Sequence, residues 1–292
     1  MSLLEYALVG GILYGVFFAL VALGLNLIFG VMRIINLAHG QFVLLGGYGA
    51  YLLSRDLHLN PIYGIPLAVL GAMVVGIPLY TVVPRLQKSS NPEMLSFILF
   101  FGVAQMIDAV LTAVFGADQR SLPQDALGAG NISVFGQAFP DSWWVAAGVS
   151  VLSALGLYLY FRRTRLGFAT RAIMANREEA LATGIDVQRV SAIAFIMGLA
   201  LAGTAGVFVP YLLGSISPDI GNELTTTSFA VIIIGSLGNP LGTIVGGLVF
   251  GIGTLFMQTY FPSWSNLVPY ALLLIIVLIR PAGLLGRAVR TA

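Results

Sequence analysis

The chain has 292 residues, 58% of them hydrophobic and 9% charged, with a mean hydropathy of +0.94. A soluble domain carries about 25% charged residues, so there are too few charges here to cover a water-facing surface. The net charge of +2 is too small to point to nucleic acid, and the absence of cysteine excludes disulfides and thiolate metal sites. Glycine is enriched at 35 residues, which suits helices packed closely in lipid.

Residues 6–32 carry no Asp, Glu, Lys or Arg, and no basic residue precedes them. A secretory signal needs a basic start and a short apolar core, so this run reads as a first membrane span. Further charge-free runs cover 57–84, 190–218 and 224–279, the last too long for one span of about 20 residues. Broken at Gly, Pro, Asn and charge clusters, the chain predicts nine crossings. They lie near 6–29, 41–54, 61–83, 94–115, 143–161, 191–213, 226–240, 241–260 and 267–280. The fold expected is an all-α, polytopic transmembrane bundle of eight to nine crossings, forming a single domain over 1–292. Residues 41–54 would rise roughly 21 Å as helix, against a hydrocarbon core of about 30 Å. That run and 226–240 therefore read as broken or re-entrant helices, which survive only when buried in protein or lining a watery cavity.

The basic residues set the orientation. With nine crossings, one side receives Arg33, Arg85, Lys88, Arg162, Arg163, Arg165, Arg171, Arg177, Arg189, Arg280, Arg287 and Arg290. The other receives Arg55 and Arg120. Loops rich in Lys and Arg stay in the cytoplasm, so the N-terminus is expected outside and the C-terminus in the cytoplasm. The connection 116–142 is then external. The connection 162–190 is cytoplasmic, with Ala172–Ala182 free of Gly and Pro and Gly184 placed as a C-cap. A short exposed helix is expected over 172–184, as a docking surface for a cytoplasmic partner or as a solvated linker. Small residues four apart at Gly11 and Gly15, Gly198, Ala202 and Gly206, Gly242 and Gly246, and Gly247 and Gly251 predict close helix contacts.

Catalytic chemistry is sparse. The chain's only lysine, Lys88, follows Gln87, so no phosphate-binding GxxxxGK[ST] loop exists. There is no HExxH, and His39 and His58 lie nineteen apart. Only His39 could serve a serine such as Ser215 or Ser236 as an intramembrane base. The remaining lead is polar groups at membrane depth, which face a cavity or a partner more often than lipid. Asp108 and Gln105 lie three apart in the fourth crossing, and Asn26 lies in the first. Asn36, His39 and Gln41 surround the entry to the short second crossing, and Thr225, Thr226, Thr227 and Ser228 open the short seventh. Broken helices with polar ends are where transporters place substrates; helix capping is the simpler reading for the threonines. Asn26, Asn36, His39, Gln41, Gln105, Asp108 and Thr226 are therefore candidates to line a translocation path.

Four stretches carry a family resemblance. GLNLIFGVMRIINLAHGQFVLLGGYGAY (24–51), REEALATGIDVQRVSAIAFIMGLALAGTAGVF (177–208), IIIGSLGNPLGTIVGGLVFG (232–251) and LIRPAGLLGR (278–287) occur in that order. Together they resemble bacterial branched-chain amino-acid ABC transporter permeases, the shorter of the two permeases such importers pair. The resemblance implies an inner-membrane importer subunit that binds no cofactor itself. Its partners would be a second homologous permease, two cytoplasmic ATPases that bind ATP, a periplasmic substrate-binding protein and the lipid bilayer. It spans leucine-type amino acids, urea, amides and aromatic acids as substrates. Importer permeases carry a loop pattern EAA followed by Gly four residues after the last Ala. Here Glu178, Glu179, Ala180 and Gly184 keep its first, third and last positions, with Glu at the second and no downstream proline. The resemblance thus implies an ATPase-coupling segment built on Arg177, Glu178, Glu179, Ala180, Leu181 and Gly184. The residues alone leave open a self-sufficient secondary transporter or channel, and an intramembrane enzyme.

Overall fold

The computed structural model describes residues 3–87 and 89–286; Lys88, Arg287 and Arg290 lie outside them. Twelve α-helices follow in chain order among the described residues. They are α1 (Leu3–Met32), α2 (His39–Arg55), α3 (Gly64–Gln87), α4 (Pro92–Phe115), α5 (Asp141–Arg163) and α6 (Arg165–Ala175). Then come α7 (Arg177–Ala182), α8 (Val187–Gly206), α9 (Val209–Leu212), α10 (Ile220–Gly235), α11 (Pro240–Tyr260) and α12 (Val268–Ile279). Seven helical segments are long and apolar enough to cross a membrane. The two expected short elements are α2, with 17 residues, and α10, with 16. Each of the nine predicted crossings falls on a helix.

The bundle is layered about α1. In its most apolar stretch α1 is 83% buried, whereas the segment Pro262–Ile279 that ends in α12 is 6% buried and those of α3 and α4 17% each. α1 packs chiefly on α11 and α8, and α8 is in turn covered by α2 and α3. The outer helices present Leu67, Leu70, Val74 and Ile77 on α3 and Phe97, Phe101, Met106 and Val110 on α4. Bare apolar rows of that extent belong against lipid or another protein. The small residues do what their spacing implies. At Gly251 a Cβ would come within 2.2 Å of the Gly15 nitrogen, and at Gly11 within 2.7 Å of the Ile252 backbone. Any larger side chain there would force α1 and α11 apart.

Two local features depart from expectation. The helix expected over 172–184 is broken. Asn176 leaves the helical region (φ −154°, ψ 112°), and its side-chain oxygen accepts the N–H groups of Glu178 and Glu179 at 3.0 and 3.3 Å. Its amide donates to the Glu179 carboxylate at 2.7 Å. A short polar side chain that caps a new helix outcompetes continuation of the old one. So α6 ends at Ala175 and α7 starts afresh. Gly184 does end α7 as expected, at φ +81°. Ile185 N–H bonds the Ala180 carbonyl at 3.1 Å and Gly184 N–H that of Leu181 at 3.0 Å, the paired bonds of a left-handed C-cap.

The second departure is a small hairpin in the otherwise helical chain. In the connection between α4 and α5, β1 (Asn131–Val134) pairs antiparallel with β2 (Gln137–Pro140). Its turn residues, Phe135 at φ 51° and Gly136 at φ 75°, have the two positive values of a tight hairpin turn. The same connection is tied to the α9–α10 loop by paired backbone bonds between Arg120 and Ile216, at 2.8 and 2.7 Å.

A candidate transport site at two broken helices

The second crossing begins inside the bundle. Arg33 takes a left-handed conformation (φ 54°) directly after α1, and residues 34–38 turn back along the helix. His39, first residue of α2, then places Nε2 2.7 Å from the carbonyl of Val21. A ring nitrogen against a carbonyl must carry the proton, so Nε2 is the donor. Val21 lies eleven residues before Met32, about 16 Å back along α1 at ~1.5 Å per residue. The N-terminus of α2 is thus at membrane depth, which explains why the crossing is short.

A free helix N-terminus at that depth needs acceptors for its amides. Ala38, its cap residue, supplies no side-chain bond. The acceptors come from elsewhere: Asn36 Oδ1 takes Ala38 N–H at 3.1 Å, and Thr225 Oγ1 on α10 takes Gly40 N–H at 2.9 Å. The backbones nearly touch there, for a Cβ at Gly40 would lie 1.9 Å from the Gly221 carbonyl oxygen. Gln41 lies against the same Gly221.

Asn36, His39 and Gln41 are fully buried within this one chain. Asn36 Nδ2, His39 Nδ1 and both amide atoms of Gln41 have no hydrogen-bond partner. Buried polar atoms are normally satisfied, and each exception calls for an explanation. Four in one six-residue stretch at a helix break mark this as the least settled part of the interior.

The other predicted path residues are dispersed. Both polar atoms of the Asn26 side chain are engaged, Nδ2 donating to Thr243 Oγ1 at 2.5 Å and Oδ1 accepting Gly238 N–H at 2.6 Å. It pins the turn between α10 and α11. Thr226 bonds the carbonyl of Asn222 in its own helix at 3.0 Å; its neighbour Thr225 makes the contact between helices. Gln105 is exposed on the outer face of α4, while Asp108 is half-buried with Oδ1 enclosed and unpartnered. Asp108, Arg120 and Asp219 lie within electrostatic reach of the buried Tyr48 hydroxyl on α2.

A cavity of about 80 Å³ on the far side of α10 holds polar groups of which only Thr227 stood out in the sequence. Glu223, Thr227, Thr254, Gln258 and Asn266 line it, between α1, α10 and α11. Glu223 lies between the charge-free runs 190–218 and 224–279 and outside the crossing expected near 226–240. On α10, Gly221 and Thr225 are four apart, as are Glu223 and Thr227, and the two pairs fall on opposite faces at 100° per residue. One face of α10 seals the break at α2 and the other lines the polar cavity.

In the connection 162–190, Glu178, Glu179, Leu181 and Gly184 are exposed and Arg177 is half-buried. Ala180 and Ile173 are each 3% exposed. They face this chain's interior, so Leu181, at 54% exposed, is the large apolar residue that α7 presents outward.

A bundle of lipid-length helices, interrupted at membrane depth where polar groups gather, defines a polytopic membrane permease. The family described as branched-chain amino acid transport system / permease component matches residues 7–277, and the chain belongs to that family. It is 28% identical to the high-affinity branched-chain amino acid transport system permease protein LivH of Escherichia coli (strain K12), over 95% of this chain and 94% of that one. It is also 28% identical to BraD of Pseudomonas aeruginosa, covering 96% and 95%. A probable LivH of Methanocaldococcus jannaschii is 29% identical, covering 95% and 91%. These relatives are transport permeases rather than enzymes. Among solved structures, PsaBC from Streptococcus pneumoniae in complex with Fab superimposes with a TM-score of 0.50 at 15% identity, over 94% of this chain and 92% of that one. At that identity the likeness speaks for the fold alone.

Proposed function

We propose that this chain is the membrane-spanning permease subunit of an ATP-binding-cassette importer for branched-chain amino acids or related small polar solutes. It works beside a second permease, and separate cytoplasmic ATPases drive it. Its N-terminus lies outside and its C-terminus in the cytoplasm. The family match across residues 7–277 carries this reading.

Transport then turns on α10. Its Gly221–Thr225 face closes on the N-terminus of α2, where the unpartnered amide of Gln41 is held. Its Glu223–Thr227 face borders the polar cavity, and the Glu223 carboxylate offers a charge to a substrate ammonium group. Separation of α2 from α10 would give water or substrate to Asn36, His39 and Gln41. Thr226, Gln105 and Asp108 stand beside this route rather than in it.

The chain has no phosphate-binding loop, so ATP-driven work must arrive through a cytoplasmic contact. α6 and α7 supply it, with Leu181 presented outward and Arg177, Glu178 and Glu179 around it to fix register. Purification of the chain from cells that also make the transporter's ATPase should bring that ATPase with it. Leu181→Asp should reduce the yield of ATPase several-fold without reducing membrane insertion. Equal recovery by both proteins would remove α7 as the contact. A secondary transporter would recover no ATPase at all.

A further inference from the structure

A cleft of about 230 Å³ opens at the end of the bundle where α5 finishes, α6 begins and α11 starts. Its depth is apolar: Leu23, Leu157, Phe161 and Ile244 line it. At its other end stand two exposed arginines, Arg162 and Arg171. Among the described residues neither is joined to a carboxylate. Each guanidinium instead lies over a ring, Arg162 above Tyr158 at 5.3 Å and Arg171 above Phe168 at 5.0 Å. Stacking holds a guanidinium plane while leaving its N–H edges free for an oxyanion. The N-terminus of α11, at Asn239, Pro240 and Leu241, borders the same cleft and adds partial positive charge.

The polar and apolar parts are ordered along the axis of α5. Ala154, which also lines the cleft, lies eight residues before Arg162 on α5, about 12 Å deeper at ~1.5 Å per residue. A ligand that fits must carry an anionic head at the interface and an apolar tail pointing inward. We propose that this cleft is a binding site for one anionic phospholipid, its phosphate held by Arg162 and Arg171 and an acyl chain lying between α5 and α11. A basic pocket between membrane helices on the side rich in Lys and Arg meets an inner leaflet of opposite charge. The proposal rests on membrane embedding and on the orientation of the bundle, and stands whether or not the transport reading does.

The chain has no cysteine, so a fluorophore on Leu241→Cys reports from the cleft alone. The labelled chain, within its assembled transporter, is placed in nanodiscs of phosphatidylcholine carrying a few percent of a brominated phospholipid. Brominated phosphatidylglycerol should quench at roughly thirtyfold lower mole fraction than brominated phosphatidylcholine, given about 1 kcal/mol for each of the two arginines near the headgroup. Arg162→Gln with Arg171→Gln should remove that preference. Arg163→Gln with Arg165→Gln removes the same charge outside the cleft and should leave it intact. Native mass spectrometry of the unlabelled chain gives an independent readout: wild type should retain one phosphatidylglycerol that the 162/171 variant loses. Equal quenching by the two lipids in wild type would overturn the proposal. So would equal loss in both double variants, or no quenching by either lipid because a partner protein fills the cleft.

Discussion

The hydroxyl of Thr225 on α10 accepts the amide N–H of Gly40 at the start of α2, 2.9 Å away. The two residues lie 185 positions apart in sequence, yet the bond has the form of a helix cap. Within a bilayer a helix N-terminus has no water to satisfy its amides, so α2 borrows an acceptor from the helix packed against it. Thr225→Val removes that acceptor while keeping the shape of the side chain. A buried donor left without a partner costs about 1–3 kcal/mol. The variant should melt at a lower temperature in detergent, and Thr225→Ser should recover most of the loss. An unchanged melting temperature for Thr225→Val would show that the Gly40 amide is satisfied some other way.

If α2 and α10 part during transport, Gln41 should change from enclosed to accessible. It is fully buried here, with both amide atoms unpartnered. A cysteine at position 41, in a chain that has none of its own, gives a clean reporter. It should resist a small water-soluble thiol reagent at rest and react during turnover with ATP and substrate. The same protection in every state of the cycle would make the Gly40–Thr225 contact a fixed part of the core.

Orientation depends on the split of basic residues, twelve against two. Reporter fusions after residue 170 and at the C-terminus should read as cytoplasmic, and a fusion near 128 as periplasmic. The hairpin of β1 and β2 and the Arg120–Ile216 bridge would then face the substrate-binding protein. A periplasmic reading at 170 would invert the bundle and take the ATPase contact away from α7.

Much of this architecture was legible in the sequence because lipid imposes a simple rule. Charge-free runs mark spans, so even the shortness of α2 and α10 could be read from the length between breaks. What stayed hidden depends on direction or on distant partners. Asn176 sits in a run without Gly or Pro, and only its capping geometry shows that it divides α6 from α7. Ala180 and Leu181 are adjacent and both apolar, and packing alone decides which one turns inward. Glu223 was hidden by the rule that served elsewhere, since a charge was taken as the end of a span. Asn26 looked like a path residue because sequence shows a polar group at depth without showing Gly238 and Thr243 already bonded to it.

Uptake of labelled leucine into proteoliposomes tests most directly whether this chain is an ATP-driven importer subunit. The proteoliposomes would contain this chain with the second permease and the ATPases, and the binding protein would be supplied outside. Uptake should need ATP and the binding protein, survive collapse of ion gradients, and fall at least several-fold with Leu181→Asp. Uptake by this chain alone, driven by a proton or sodium gradient without the ATPases, would contradict that role.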